Sequence, residues 1–258
     1  RDAETAVQKH HPEFSIQKLD YDDPETYKML GQGDTEGVFQ LESSGMKQVL
    51  VGLQPQNLED VIALISLYRP GPMDSIPTYL RNRHEPDKIS YKTPQLAHIL
   101  DVTNGCIVYQ EQVMQIFREL AGFSFGQADN VRRAMSKKKH AVMEAEREHF
   151  VHGCTEPGHE CPGCVANGIS EKVANEIYDE MSSFASYAFN KSHAACYAYV
   201  AFQTAYLKCH YPSEFMAALL TSVLDNTDKV IEYSGECARL GIKVLPPDVN
   251  VSNGGFTA

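Results

Sequence analysis

Basic residues are scarce in this chain of 258 residues, which has 23 lysines and arginines, 34 aspartates and glutamates, and a formal net charge of −11. A protein that coats nucleic acid without sequence preference needs a broadly positive surface to neutralise phosphates. The summed field of this chain would instead repel DNA at long range. The composition therefore argues against a non-specific DNA-coating protein, and any attraction to an anion must be local.

Long apolar runs are also missing. No stretch approaches the ~20 apolar residues that span a bilayer, and the opening "RDAETAVQKHHPEF" has no apolar signal core. The seven cysteines are irregularly spaced, which favours free or metal-bound thiols in a reducing compartment. We therefore expect a cytoplasmic protein without membrane contacts.

Common catalytic and nucleotide-binding fingerprints are absent. The glycines form neither a G-x-x-x-x-G-K-[ST] loop nor a G-x-G-x-x-G turn. Asp20 and Asp22 alternate as on one face of a strand, but "LDYDDPE" is better explained as the approach to a helix and its cap. The sequence thus shows no catalytic acid pair.

Helical patterns dominate what is present. Asp23 and Pro24 predict the start of a short helix, and Asn57 predicts the cap of another that ends before "RPGP". "CIVYQ", at 106–110, predicts a short strand. Further helices are expected at roughly 126–137, 140–152, 170–184, 191–209, 213–225 and 228–240. The expected fold class is mainly α with a few short strands.

A basic island, "VRRAMSKKKH", interrupts the acidic chain at 131–140. Arg132, Arg133 and Ser136 are three or four residues apart on a helix, so two guanidiniums could meet a polyphosphate. Lys137 to Lys139 fall where the helix would end. The alternative interpretation is that these cations complement the helix dipole and stay solvated.

A second polar group precedes a helix that is apolar around its circumference, in "SYAFNKSHAACYAYVAFQTAYL". Asn190, Lys191, Ser192 and His193 lie together at the expected helix start, where unpaired N–H groups favour an anion. The alternative is an ordinary capped helix with a histidine bound to the backbone.

A third constellation, "HGCTEPGHECPGC", spaces Cys154, His159, Cys161 and Cys164 as C-x4-H-x-C-x2-C. Four such ligands in a loop with almost no apolar residues predict a closed, structural Zn²⁺ site. His152 is a competing ligand. The alternative is a flexible insert with incidental thiols.

Long motifs in a fixed order resemble one family. They are "GVFQLESSGM" (37–46), "LYRPGPM" (67–73), "IVYQEQVMQI" (107–116), "VRRAMSKKK" (131–139), "FNKSHAACYAYVAFQTAYLKCHYPSEFMAALL" (189–220) and "LPPDVN" (245–250). Over almost its whole length the chain is similar to the bacterial DNA polymerase III alpha subunit, a C-family replicative polymerase, and more to its DnaE-type branch than to the PolC-type branch.

The resemblance implies a multi-helix fingers domain of a DNA-directed DNA polymerase, a nucleotidyltransferase. That domain would bind the incoming deoxynucleoside triphosphate and the templating region during DNA replication. The implied bounds are 1–36 for the connection from the palm domain, 37–245 for the fingers with the Cys/His insert at 152–166, and 246–258 for the extended start of the next region.

Site residues follow from the resemblance by position. The family's basic motif, which faces the triphosphate, matches Arg132 and Arg133. Its second nucleotide-facing motif matches four residues: Tyr187, Asn190, Lys191 and His193. Ser186 and Ala188 stand where many relatives carry glycine, and the Cys/His loop departs from the family pattern.

The family's catalytic aspartates hold Mg²⁺ in the palm, and no position of this chain matches them. The chain alone is therefore expected to be inactive. In the full-length bacterial protein the expected partners are primer-template DNA, deoxynucleoside triphosphates and, through other domains, further replisome subunits. Two other functions stay open: a zinc-stabilised protein-interaction module, and a nucleic-acid-binding module without a polymerase role.

Overall fold

The structure, a computed structural model, describes residues 1–137, 140–185 and 189–258, with the backbone alone at 136, 140, 141 and 185. The described residues form 14 α-helices. In chain order they are α1 (Asp2–Gln8), α2 (Pro24–Gly31), α3 (Ser44–Leu53), α4 (Leu58–Leu67), α5 (Ile76–His84), α6 (Ala97–Leu100), α7 (Gln110–Ala121), α8 (Phe125–Ser136), α9 (His140–His152), α10 (Gly163–Ala166), α11 (Glu171–Ala185), α12 (Lys191–His210), α13 (Pro212–Ser222) and α14 (Thr227–Arg239).

Helix starts follow the capping residues in the sequence. The Asp23 carboxylate accepts a hydrogen bond from the backbone N–H of Thr26 at 2.9 Å, and Asn57 accepts one from Asp60 at 3.0 Å. Side-chain acceptors of this kind satisfy N–H groups that a helix leaves without internal partners. The mainly α fold class and these two helix starts are confirmed.

The predicted short strands are wrong. Where "CIVYQ" predicted one, Tyr109 forms a single bridge with Phe189, and the other isolated bridge in the described ranges pairs Cys154 with Cys161. The apolar run at Ile107, Val108 and Tyr109 is buried because it leads into α7, not because it lies in a sheet. Short apolar runs cannot separate these two situations by pattern alone.

The chain divides into two compact units, of which the first comprises residues 1–61 and 196–258. Its apolar cluster joins Val7 of α1 with Phe215, Met216 and Leu220 of α13, and with Tyr233 of α14. Ring contacts extend this packing onto α12, where the Tyr206 ring lies 6.5 Å from that of Phe14. The helix is buried on one side only, because Tyr199 and Val200 stay 45% and 41% exposed although the sequence is apolar all round.

An ion-pair network also lies in the first unit, and we call it the Lys208 cluster: Asp34, Lys208, Glu236 and Arg239. The Lys208 Nζ donates to Glu236 Oε1 at 2.7 Å, to Asp34 Oδ1 at 3.0 Å and to the Glu36 carbonyl at 3.0 Å. Arg239 contacts both carboxylates. The Lys208 side chain is fully buried, and these acceptors compensate its loss of hydration.

The second unit comprises residues 62–195. Its core is an aromatic cluster in which Phe117 of α7 contacts Phe150 of α9 and Tyr178 of α11, with ring centroids 5.0 and 6.0 Å apart. Val131 and Met135 place α8 on the same core. Buried aromatic side chains contribute large apolar areas. The helices α7, α8, α9 and α11 are therefore packed together on one core, which fixes their positions relative to one another.

None of the helices in the described ranges combines the length and hydropathy needed to cross a bilayer. The predicted domain bounds at 36/37 and 245/246 stay a prediction.

Candidate functional site

The two arginines of the basic island lie on α8, whose start is fixed by a capping box. Ser124 Oγ accepts from the Gln127 N–H at 3.3 Å, and Gln127 Oε1 accepts from the Ser124 N–H at 2.7 Å. Asp129, Arg132 and Arg133 then follow at intervals of three and four residues, which brings their side chains together. We call these three residues the arginine cluster.

Asp129 binds both guanidinium groups. Arg132 donates to its Oδ1 from Nη2 at 2.7 Å and from Nε at 3.0 Å, and Arg133 Nε lies 2.7 Å from its Oδ2. The hydrogen bonds from Arg132, together with both positive charges, hold the pKa of Asp129 below its ordinary value of 3.8. One carboxylate faces two cations, so the cluster keeps a net positive charge. The Arg133 side chain is 64% exposed and that of Arg132 is 20% exposed.

The second motif lies at the start of α12, as the sequence predicts. Asn190 Oδ1 caps the helix by accepting from the His193 N–H at 3.0 Å. The Asn190 amide donates to Glu111 Oε1 at 2.8 Å, and the Lys191 N–H donates to Glu111 Oε2 at 3.1 Å. A carboxylate of α7 therefore sits at the positive end of α12.

The first residues of α7 and its cap contact both motifs. Gln110 Oε1 accepts from Arg132 Nη1 at 3.0 Å, while Glu111 binds the start of α12. The Lys191 ammonium lies 5.2 Å from the centroid of the Tyr109 ring, within cation–π range. Three consecutive residues thus connect side chains that lie far apart in the sequence.

A buried glutamine holds the chain ahead of α7 in place. Gln112 Oε1 accepts from the N–H groups of Val108 at 2.8 Å and Tyr109 at 3.0 Å. Its amide donates to Thr103 Oγ1 at 2.7 Å and to the Ile99 carbonyl at 3.1 Å. Buried polar groups that are paired in this way favour one conformation, so the position of Gln110 and Glu111 is well defined.

Arg69, which comes directly before "PGP", also reaches this region. Its guanidinium carbon lies 4.2 Å from the centroid of the Phe189 ring, and the Phe189 carbonyl accepts from the Gln110 N–H at 2.9 Å. Burial lowers the pKa of Arg69 from its ordinary value, yet a guanidinium keeps its proton in proteins. Arg69 therefore adds a further positive charge beside the start of α12.

The side chains described above carry more positive than negative charge. Four cations face two carboxylates in this region: Arg69, Arg132, Arg133 and Lys191 against Asp129 and Glu111. Fixed charges in a half-buried place are screened less than charges on an open surface. This arrangement can bind a polyanion although the chain carries −11 overall.

Some predicted residues fall outside what the structure describes, and some site residues were not predicted. Tyr187, Lys138 and Lys139 lie outside the described ranges, and Ser136 is described by its backbone alone. No role was predicted for four contacting residues: Arg69, Gln110, Glu111 and Asp129. Asp129 could have been found from its spacing to the arginines, whereas the other three act across long sequence separations.

The Cys/His loop does not form the predicted zinc site. Among residues whose positions the structure describes, no group of three or more His, Cys, Asp or Glu side chains is placed to hold a metal ion. Cys161 and Cys164 are buried in the apolar core of the second unit, whereas His159 is exposed. Burial raises the pKa of the Cys164 thiol to about 12.

Backbone packing shapes this loop. Cys154 and Cys161 exchange two backbone hydrogen bonds of 2.9 Å. Gly153 and Gly163 have positive φ angles of 89° and 79°, and a Cβ on Gly163 would lie 2.3 Å from the Gly153 nitrogen. Only glycine tolerates such an approach. Backbone hydrogen bonds and close glycine packing therefore define the path of this loop.

A family profile and individual relatives of this chain point to the same protein family. The sequence profile of the bacterial DNA polymerase III alpha subunit finger domain matches residues 1–158. The chain is 50% identical over 249 residues to DNA polymerase III subunit alpha of Thermus aquaticus, with 95% of this chain and 20% of that protein covered.

Two further relatives carry the same name. Identity is 46% over 244 residues for Bacillus subtilis (strain 168), covering 95% of this chain and 21% of the relative. It is 44% over 240 residues for Staphylococcus aureus (strain Mu50 / ATCC 700699), covering 93% and 22%. The chain spans about a fifth of the length of these curated relatives.

Proposed function

Because the chain belongs to the finger-domain family of bacterial DNA polymerase III alpha subunits, we propose that it binds the triphosphate of an incoming deoxynucleotide during template-directed DNA synthesis. The proposed ligands are the arginine cluster and the start of α12. Arg132, Arg133 and Lys191 supply positive charge, and Asn190 and His193 supply hydrogen bonds. Tyr187 belongs to the proposal by its position in the second motif.

One observation carries this proposal: two cationic motifs, separated by more than fifty residues in sequence, contact consecutive residues of α7. Arg132 binds Gln110, and Asn190 binds Glu111. A triphosphate is an extended polyanion that needs donors at several points along its length. Two motifs held by neighbouring residues of a single helix suit such a ligand better than two separate surface clusters.

The chemistry of binding follows from the side chains. Guanidinium groups present planar pairs of donors that match phosphate oxygens, and these charge-assisted bonds are stronger than neutral ones. Asp129 holds both arginines in place before the ligand arrives, which reduces the conformational entropy lost on binding. Negative charge also develops on the leaving pyrophosphate, so the same cations would stabilise the transition state.

Metal chemistry lies outside the residues of this chain that the structure describes. Polymerases of this family are expected to use Mg²⁺, but no group of three or more acidic, His or Cys side chains in the described ranges could hold an ion. Asp129 and Glu111 are each engaged with donors of the site itself. No step of the proposal therefore passes through a metal bound here.

The wider role is proposed by analogy with the named relatives. The full-length protein would act in the bacterial cytoplasm on primer-template DNA, with the fingers contacting the templating region and other replisome subunits binding other domains. The alternative of a zinc-stabilised interaction module is less well supported, because no group of three or more ligand side chains is found among the described residues.

The test is primer extension by the full-length polymerase with Arg132→Ala and Arg133→Ala. Each substitution removes a charge-assisted contact to phosphate, so KM for the nucleotide should rise about tenfold and kcat should fall. Steady-state kinetics over a range of nucleotide concentrations would measure both quantities. The effect should be the same for all four nucleotides, since phosphates carry no base identity.

Arg118→Ala is the matched control. Arg118 is an exposed arginine of α7 that packs over the Phe125 ring at 5.8 Å, on the opposite end of the helix from Gln110. Its removal should leave KM within twofold of the parent value. Nucleotide kinetics that do not distinguish Arg132→Ala from Arg118→Ala would contradict the proposed function.

A further inference from the structure

We propose that Gln110 and Glu111 are positioning residues for nucleotide binding: Gln110 sets the Arg132 guanidinium, and Glu111 sets Asn190 and the first turn of α12. This inference rests on the proposed function and deepens it. It assigns a role to the "YQE" segment at 109–111, which carries none of the positive charge of the site.

Gln110 acts on a side chain that Asp129 alone does not fully orient. Asp129 binds the Nε and Nη2 edge of Arg132, and Gln110 binds Nη1 at 3.0 Å. Two acceptors on different edges of a planar guanidinium fix both its plane and its direction. Without Gln110 the group would keep its pairing with Asp129 but lose the hydrogen bond from Nη1 to Gln110.

Glu111 acts on the second motif through a short chain of hydrogen bonds. Its carboxylate accepts from the Asn190 amide at 2.8 Å, and Asn190 in turn accepts from the His193 N–H at 3.0 Å. The Asn190 amide is therefore held at both ends, with its oxygen toward α12 and its nitrogen toward α7. The second Glu111 oxygen holds the Lys191 N–H at 3.1 Å.

The segment that carries Gln110 and Glu111 is held in a defined position. Gln112, one residue further on, is buried and holds the chain before α7, and α7 packs into the aromatic core through Phe117. Residues on a regular, core-packed helix place ligand-binding groups more accurately than loop residues do. The proposed role of Gln110 and Glu111 is therefore to orient the ligand-binding side chains, and neither residue adds positive charge to the site.

The experiment measures nucleotide KM and kcat for the full-length polymerase carrying Gln110→Ala or Glu111→Ala. Loss of one orienting hydrogen bond should raise KM about threefold to tenfold. Glu111→Gln keeps one acceptor oxygen and should recover part of that loss. Two α7 variants with similar exposure serve as controls, Gln115→Ala and Glu119→Gln, and they should leave KM within about twofold.

Double variants separate positioning from simple destabilisation. If Gln110 acts through Arg132, adding Gln110→Ala to Arg132→Ala should change KM by less than about twofold, and the same should hold for Glu111→Ala added to Asn190→Ala. Effects that multiply fully would overturn the inference. Glu111→Gln showing the same loss as Glu111→Ala would overturn its part for Glu111.

The two proposals fail in different ways. Arg132→Ala that leaves KM unchanged overturns the proposed function, and the positioning role with it. A raised KM in Arg132→Ala beside an unchanged KM in both Gln110→Ala and Glu111→Ala overturns the positioning role alone.

Discussion

The Lys208 cluster and the arginine cluster use the same chemistry under different exposure. In both, carboxylates pair with basic side chains at 2.7 to 3.0 Å. Lys208 is fully buried, and its ammonium group contacts Glu236, Asp34 and a backbone carbonyl. Arg133 shares one carboxylate with Arg132 and keeps 64% of its side chain exposed.

The difference shows what makes a cationic cluster available for a ligand. An ammonium group has three donors, and the contacts of Lys208 account for all of them. Arg133, by contrast, leaves most of its side chain in contact with solvent while it pairs with Asp129. The Lys208 cluster is therefore structural, whereas the arginine cluster is suited to bind an external anion.

The largest expected loss of unfolding free energy is in the buried Lys208 cluster. Lys208→Ala would leave the carboxylates of Asp34 and Glu236 with Arg239 as their remaining partner in the cluster. Breaking a buried ion pair by removing one partner costs about 3–5 kcal/mol, and we expect about 3 kcal/mol because Arg239 compensates in part. Urea denaturation of the variant and the parent chain would measure the difference in unfolding free energy.

Lys28→Ala provides the matched control in the same unit. Its side chain is 65% exposed and lies 3.5 Å from Glu25, an arrangement that contributes at most about 0.5 kcal/mol. Equal losses of unfolding free energy in the two lysine variants would show that burial does not make the ion pairs of Lys208 stronger than that of Lys28, and would contradict this prediction.

Local features of the fold were predictable from the sequence because they depend on neighbouring residues. Asp23 and Asn57 marked helix starts that the structure contains, since a cap acts within one turn. The spacing within "VRRAMSKKKH" placed Arg132 and Arg133 side by side for the same reason. The family motifs then indicated which of these residues to treat as a site.

The remaining parts depend on contacts that no local pattern records. Gln110 and Glu111 meet residues 22 and 79 positions away, and their types are ordinary for the first turn of a helix. The Cys/His loop had ligand spacing without ligand geometry, because two of its thiols turn into the core. Spacing is necessary for a metal site, but the direction of each side chain decides whether the site exists.

An intermediate effect is expected from acid. Burial opposes ionisation of Asp34, but hydrogen bonds from Arg239 and Lys208 outweigh it and hold the pKa below 3.8. Hydrogen bonding from Arg239, aided by Lys208, holds the pKa of Glu236 below 4.5. A carboxyl whose pKa is lowered by folding contributes its full stabilisation at pH values above its pKa in the unfolded chain. This stabilisation is lost as the pH falls through the lower pKa of the folded protein.

Unfolding free energy should therefore decrease as pH falls below about 4.5. Glu236→Gln should flatten this decrease more than Asp129→Asn does, because solvent screens the ion pairs of the less exposed Glu236 less strongly. Denaturant titrations between pH 7 and pH 3 would measure both slopes. A steeper dependence on Asp129 would place the stronger pairing in the arginine cluster and reverse the comparison.

The smallest expected effect lies within the arginine cluster itself. Arg132 is 20% exposed and hydrogen-bonds to both Asp129 and Gln110, so Arg132→Ala should lower the unfolding free energy by about 1 kcal/mol. Arg133→Ala should change it by less than about 0.5 kcal/mol, because exposed pairs contribute little. Both variants are nevertheless expected to weaken nucleotide binding. A residue whose removal leaves stability unchanged while KM rises contributes to ligand binding and not to folding. Denaturation and primer extension on the same Arg133→Ala protein would show whether the two effects separate in this way.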